Sequence, residues 1–126
     1  LGIEKDCSWK NLIRGGFLFS HPLYPYSNTI HQGDAPLSHS FLKVEGNVKA
    51  AAWKCGEDKN SWVLRLYHCS DQPEKVNVTA DKKIQKAEIT DILERPQEEI
   101  CVREESGNQI EIIIPQCSIR TIRLTF

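Results

Sequence analysis

The chain has 126 residues, 40% hydrophobic and 26% charged, which is the composition of one globular domain and excludes a disordered segment. Its 16 basic and 17 acidic residues nearly cancel to a formal charge of −1, and no basic cluster is available to neutralise a phosphate backbone, so nucleic acid is not an expected partner. No apolar stretch approaches the roughly 20 residues needed to span a bilayer, and no signal-like basic and apolar start is visible, so no membrane association is expected.

Residues 1–45 read as a loop-rich lead-in. They hold Pro22, Pro25 and Pro36, three of the six prolines, and His21, His31 and His39, three of the four histidines. Arg14–Ser20 (RGGFLFS) is a candidate strand. His21–Ser40 reads as a long ordered loop, and loops of that length in compact domains are usually functional or pack on something else.

The strand core is expected over residues 46–126. Val48–Lys54 (VKAAAWK) is rich in alanine, but seven residues between turn signals are few for a helix, and a strand is predicted. Ser61–Cys69 places Trp62, Leu64 and Leu66 on one face and Val63, Arg65 and Tyr67 on the other. Glu74–Ala80 alternates, with Val76, Val78 and Ala80 inward. Ile84–Leu93 and Glu99–Glu104 are further candidates. Gln109–Ile114 puts Ile110, Ile112 and Ile114 on one side, and Cys117–Phe126 does the same with Ile122, Leu124 and Phe126.

The punctuation favours hairpins. Gly56–Asn60 and Ser106-Gly107-Asn108 carry the Gly and Asn that tight reversals use for positive φ. Pro73 cannot donate to a ladder and ends a strand. Short strands at intervals of about 10 residues predict an all-β fold, an antiparallel β-sandwich with a long irregular N-terminal loop region. The whole chain, residues 1–126, reads as a single domain.

Complete catalytic motifs are missing. There is no G-x-S-x-G elbow, no P-loop and no G-x-G-x-x-G. Cys69 follows His68, but adjacent strand residues point to opposite faces, which is poor geometry for a dyad. His21, His31 and His39 would need to converge, with a further ligand, to hold zinc, so no metal site is expected in this chain. Glu98-Glu99 and Glu104-Glu105 read as solvent-facing. Asp91 and Glu94 are expected to form structural ion pairs with Arg95 or Arg120. Trp53 and Trp62 are expected in the core, and Asn77-Val78-Thr79 is a formal glycosylation sequon that matters only in a secreted protein.

The five cysteines, Cys7, Cys55, Cys69, Cys101 and Cys117, are odd in number with no C-x-x-C pair. Free thiols in a reducing cytoplasm are the expectation. The chain lacks methionine and starts at Leu1, which reads as an excised domain or a processed product.

Three stretches, in this order, resemble the C-terminal end of glycoside hydrolase family 38 α-mannosidases. They are Val63-Leu64-Arg65-Leu66-Tyr67, Thr90-Asp91-Ile92-Leu93-Glu94-Arg95-Pro96, and Ile119-Arg120-Thr121-Ile122-Arg123-Leu124. Upstream, Phe17–Pro25 (FLFSHPLYP) and Gly33-Asp34 resemble further family segments. Tyr26, Cys117 and Ser118 depart from the family pattern.

The resemblance implies a C-terminal β-domain of a long, retaining exo-α-mannosidase of the cytosolic or bacterial branch. The nucleophile and a divalent metal, usually zinc, would belong to an N-terminal domain outside this chain, and none of their motifs occurs here. The chain alone is therefore expected to be inactive and to hold no cofactor. Its expected partners are the catalytic and helical domains of the same polypeptide, and α-mannoside oligosaccharides are a further candidate. An interdomain or sugar-facing loop is expected at His21, Tyr24, Tyr26, His31 and Asp34. The alternatives are an independent carbohydrate-binding module using Trp9, Tyr24 and Tyr26, and an immunoglobulin-like module. The second is disfavoured because Trp62 lies only seven residues from both Cys55 and Cys69.

Overall fold

The computed structural model describes residues 8–27, 29, 30, 32–34, 36–103 and 105–126. It divides into two compact units, Leu1–His39 and Ser40–Phe126.

In the first unit, helix α1 spans Trp9–Ser20, where the sequence reading expected a strand over Arg14–Ser20. The Ser8 hydroxyl caps it by accepting from the Asn11 amide at 3.4 Å. Ile13 and Phe17, one helical turn apart, are half-buried. The His21 amide closes the last turn onto the Phe17 carbonyl at 2.8 Å. A strand needs a ladder partner; a capped helix satisfies its own backbone, and no partner strand lies in this unit among the described residues. Beyond His21 the described residues to His39 carry no regular element.

The second unit is an antiparallel sandwich. Its strands are β1 (Leu42–Glu45), β2 (Lys49–Cys55), β3 (Ser61–His68), β4 (Glu74–Ala80), β5 (Lys86–Thr90), β6 (Pro96–Ile100), β7 (Gln109–Ile114) and β8 (Ser118–Thr125). One sheet runs β1-β4-β7 and the other β2-β3-β8-β5-β6. The period-2 apolar sets face each other between them. Val76, Val78 and Ala80 of β4, with Ile110, Ile112 and Ile114 of β7, meet Leu64 and Leu66 of β3 and Ile122 and Leu124 of β8. Each fully buried aliphatic side chain contributes about 1.5–3 kcal/mol, and a one-residue slip would turn the whole set to solvent.

Two strands have other limits than the sequence suggests. The candidate Ile84–Leu93 is shortened to β5, and Glu99–Glu104 is replaced by β6, beginning at Pro96. The cause is the Asp91 carboxylate. Its Oδ1 accepts from the Leu93 and Arg95 amides, both at 2.9 Å, and the Asp91 amide donates to the Arg95 carbonyl at 3.0 Å. These bonds reverse the chain three residues earlier than the apolar pattern implies, leaving Ile92 and Leu93 exposed at the tip. Strand β6 lies at the sheet edge, where Pro96 loses no ladder bond.

The turns also use their residues differently. Gly107 takes φ 65° as expected, but in the Gly56–Asn60 turn the positive φ, 61°, falls on Lys59. Gly56 is needed there for space, since a Cβ would lie 2.3 Å from Ser61 Oγ.

Candidate functional site

The outward face of the five-stranded sheet gathers the three motif stretches singled out in the sequence. Arg65 of β3 donates through Nε to Thr121 Oγ1 of β8 at 3.3 Å, and through Nη2 to the Ile92 carbonyl at 3.4 Å. One guanidinium therefore joins segments that lie far apart in the chain, and its five donors in a planar fork suit that work.

Around it lies a chain of charges. Glu88 of β5 accepts from Arg123 Nη2 at 2.6 Å and from Lys86 Nζ at 2.8 Å. Arg123 also approaches Asp58 at 3.9 Å. Asp91 pairs with Arg95 at 2.7 Å. Glu94, held at φ 65°, pairs with Lys54 and accepts the Glu57 amide at 3.1 Å. Arg120 takes another place: its Nε is buried with no hydrogen-bond partner in the structure.

These partners settle what the carboxyls can do. Hydrogen bonds from Lys86 and then Arg123 hold Glu88 below the usual carboxylate range. The Arg95 amide does the same for Asp91, Lys54 for Glu94, the Ser61 hydroxyl for Asp58, and Lys75 with Arg103 for Glu111. A glycosidic general acid needs its carboxyl raised so that it carries a proton near neutrality. These five are pushed the opposite way; Asp58, Glu88, Asp91 and Glu94 tie strands and turns of the five-stranded sheet together, and Glu111 pairs with Lys75 and Arg103 on the other sheet.

His68 is fully buried at the end of β3, on the same side of the strand as the inward Leu64 and Leu66. Its Nδ1 lies 2.8 Å from the Asn47 carbonyl and its Nε2 lies 2.7 Å from the Gln72 carbonyl. Both nitrogens are occupied by backbone, while Cys69 is exposed, so the neighbouring thiol gains no base. Cys117 Sγ lies 3.5 Å from the Ser70 carbonyl. Cys55, Cys69, Cys101 and Cys117 are free and exposed; Cys7 is outside the described residues. Among the described residues no group of three or more His, Cys, Asp or Glu is placed to hold a metal ion.

The loop candidates lie in the other unit. His21 stacks on Phe17 with ring centroids 4.4 Å apart. Tyr24, Tyr26 and Asp34 are exposed. His31 lies outside the described residues, as does the side chain of Trp9. Asn77 of the sequon sits within β4, and its Oδ1 is buried without a hydrogen-bond partner.

One expectation is corrected. Trp53 packs against the core, but Trp62 does not follow Leu64 and Leu66 inside. It lies at the strand end, 38% exposed and stacked on Trp53 at 5.1 Å. The even spacing put it on the correct face; where the opposite sheet stops was not legible.

A family model described as "Glycosyl hydrolases family 38 C-terminal beta sandwich domain" matches residues 47–122. That range takes in the first two motif stretches and most of the third, but not Phe17–Pro25 or Gly33-Asp34. No curated protein matches the chain, and no solved structure does.

Proposed function

Since the chain belongs to the glycosyl hydrolase family 38 C-terminal β-sandwich domain family, we propose that it is a non-catalytic structural and interface domain of an α-mannosidase. The whole enzyme would hydrolyse terminal α-mannosyl residues by a retaining mechanism. The observation that carries the non-catalytic role is geometric: Glu88, Asp91 and Glu94 are engaged by fixed cationic partners on the sheet, Lys86 with Arg123, Arg95, and Lys54 respectively, and are not arranged as a carboxyl pair facing an open cleft.

An interface role is supported by the first unit. Leu12, Leu18, Phe19, Leu23, Ile30 and Leu37 are all exposed large apolar side chains within that unit. Concentrations of exposed apolar surface mark association sites. The catalytic and helical parts of the same polypeptide are the proposed occupants, with His21, Tyr24, Tyr26 and Asp34 beside them. The zinc or other divalent metal of such an enzyme does not fit the described residues of this chain, which offer no three-ligand set.

A reducing cytoplasm suits the four exposed free thiols. No helix among the described residues is long and apolar enough to cross a membrane.

The test compares the larger polypeptide with and without residues 1–126 on an aryl α-mannoside, beside the chain alone. The chain alone is expected to be inactive. The truncated enzyme is expected to lose activity or solubility and to recover it when the chain is supplied in trans. A truncated enzyme as active and as heat-resistant as the whole would overturn the proposal.

A further inference from the structure

One end of the sandwich is left open between the sheets, and its walls are aromatic. Trp53 of β2, Trp62 at the start of β3 and Phe126 after β8 come together at the end of the five-stranded sheet, where Cys55 pairs with Trp62 and Trp62 with Leu124. Phe41 and the Asp81-Lys82 pair come from the matching end of the other sheet, where Leu42 pairs with Ala80 and the Asp81 amide donates to the Phe41 carbonyl at 3.1 Å. Together these six residues line a groove of about 510 Å³, within the size range of small-molecule sites.

The rings are ordered among themselves. Trp62 lies on Trp53 with planes 19° apart, and Phe126 meets Trp53 edge-on at 74°. The wall is thus prearranged, yet Trp62 is 38% exposed and Phe41 is 65% exposed. The inward Leu64, two residues along β3 from Trp62, is completely buried.

The polar groups narrow the ligand. A purely aliphatic guest would cover the charged groups of Asp81 and Lys82 and remove them from water without compensation. An anion would meet a lining that carries one carboxylate, Asp81, and one ammonium, Lys82, and so no net positive charge. A neutral ring with one C–H face and a rim of hydroxyls satisfies both walls. The C–H face covers aromatic surface, and the hydroxyls donate to a carboxylate and accept from an ammonium.

We infer that the groove lined by Phe41, Trp53, Trp62 and Phe126, with Asp81 and Lys82 at its rim, binds a neutral pyranose saccharide. The site is built from residues of the sandwich unit, and it does not rest on the mannosidase reading.

The whole chain is titrated with α-1,2-mannobiose and, separately, with cellobiose, following tryptophan fluorescence and indole N–H resonances. Saturable binding with a dissociation constant on the order of 1 mM is expected for at least one of the two. Trp62→Ala is expected to weaken it by roughly tenfold or more, Asp81→Asn by several-fold, and Glu98→Gln, at an exposed position of edge strand β6, to leave it unchanged. Thermal melting of each variant separates loss of the site from loss of the fold. Because Asp81→Asn keeps the aromatic wall, it carries the test if Trp62→Ala fails to fold. Binding of cellobiose alone would support the groove while weakening the α-mannoside reading. Absence of saturable binding to either sugar at tens of millimolar, or binding abolished by Glu98→Gln but not by Trp62→Ala, would overturn the inference.

Discussion

Replacing Glu88 by glutamine tests whether the charge cluster on the outward sheet face stabilises the sandwich. Glu88 is only 7% exposed and bridges two cations, Lys86 at 2.8 Å and Arg123 at 2.6 Å. Exposed ion pairs contribute under about 1 kcal/mol, and removing one partner of a fully buried pair costs about 3–5 kcal/mol. Here the carboxylate is buried, but the Lys86 and Arg123 side chains keep 50% and 21% of their exposure. The expected cost of Glu88→Gln at neutral pH is therefore about 2 kcal/mol, between those limits. In urea, followed by tryptophan fluorescence, that lowers the midpoint by about 1 M for a typical slope.

The pH dependence has a definite direction. The partners hold the Glu88 carboxyl below its ordinary value in the folded state. Its contribution is complete above the usual glutamate range, about pH 4–5, and is lost as pH falls through the depressed folded value. The difference between wild type and Glu88→Gln should thus be full at neutrality and close in acid. Glu98→Gln, at an exposed position of the edge strand, serves as the control, with an effect within about 0.5 kcal/mol. A Glu88→Gln cost under about 0.5 kcal/mol, or a difference that persists unchanged in acid, would refute the reasoning.

Gly56→Ala places a Cβ 2.3 Å from Ser61 Oγ, a hydroxyl already bonded to Asp58 at 2.7 Å; a loss of about 1–3 kcal/mol in chemical denaturation is expected. His68→Phe keeps the ring volume but leaves the Asn47 and Gln72 carbonyls without their partner; about 2 kcal/mol of destabilisation is expected, and an unchanged melting temperature would contradict it. Lys59→Asn puts a residue that tolerates positive φ at the 61° position of the β2–β3 turn, and should raise stability by roughly 0.5 kcal/mol.

Much of the sandwich is written locally. Alternation in Glu74–Ala80 and Gln109–Ile114, and the apolar run of Ser61–Cys69, announce strands because side-chain period and backbone pleat are properties of a few consecutive residues. The motif stretches at 63–67, 90–96 and 119–124 identify the family in the same local way. Partnership is not local. Glu94 meets Lys54, 40 positions away in the chain, and not the adjacent Arg95 or the distant Arg120. Arg65 reaches Thr121 and Ile92 only because β8 lies between β3 and β5. The helix over Trp9–Ser20 depended on the Ser8 cap and on the lack of a neighbouring strand to accept Arg14–Ser20 as a ladder partner. The opening beside Trp62 is lined by residues from both sheets, Trp53 and Phe126 from the end of one and Phe41 from the end of the other. Residue type and spacing determined which segments would be strands and which faces would be apolar. Sheet order and register, decided by the packing of one sheet on the other, determined which charges meet, which carbonyls His68 spans and which tryptophan remains open to solvent.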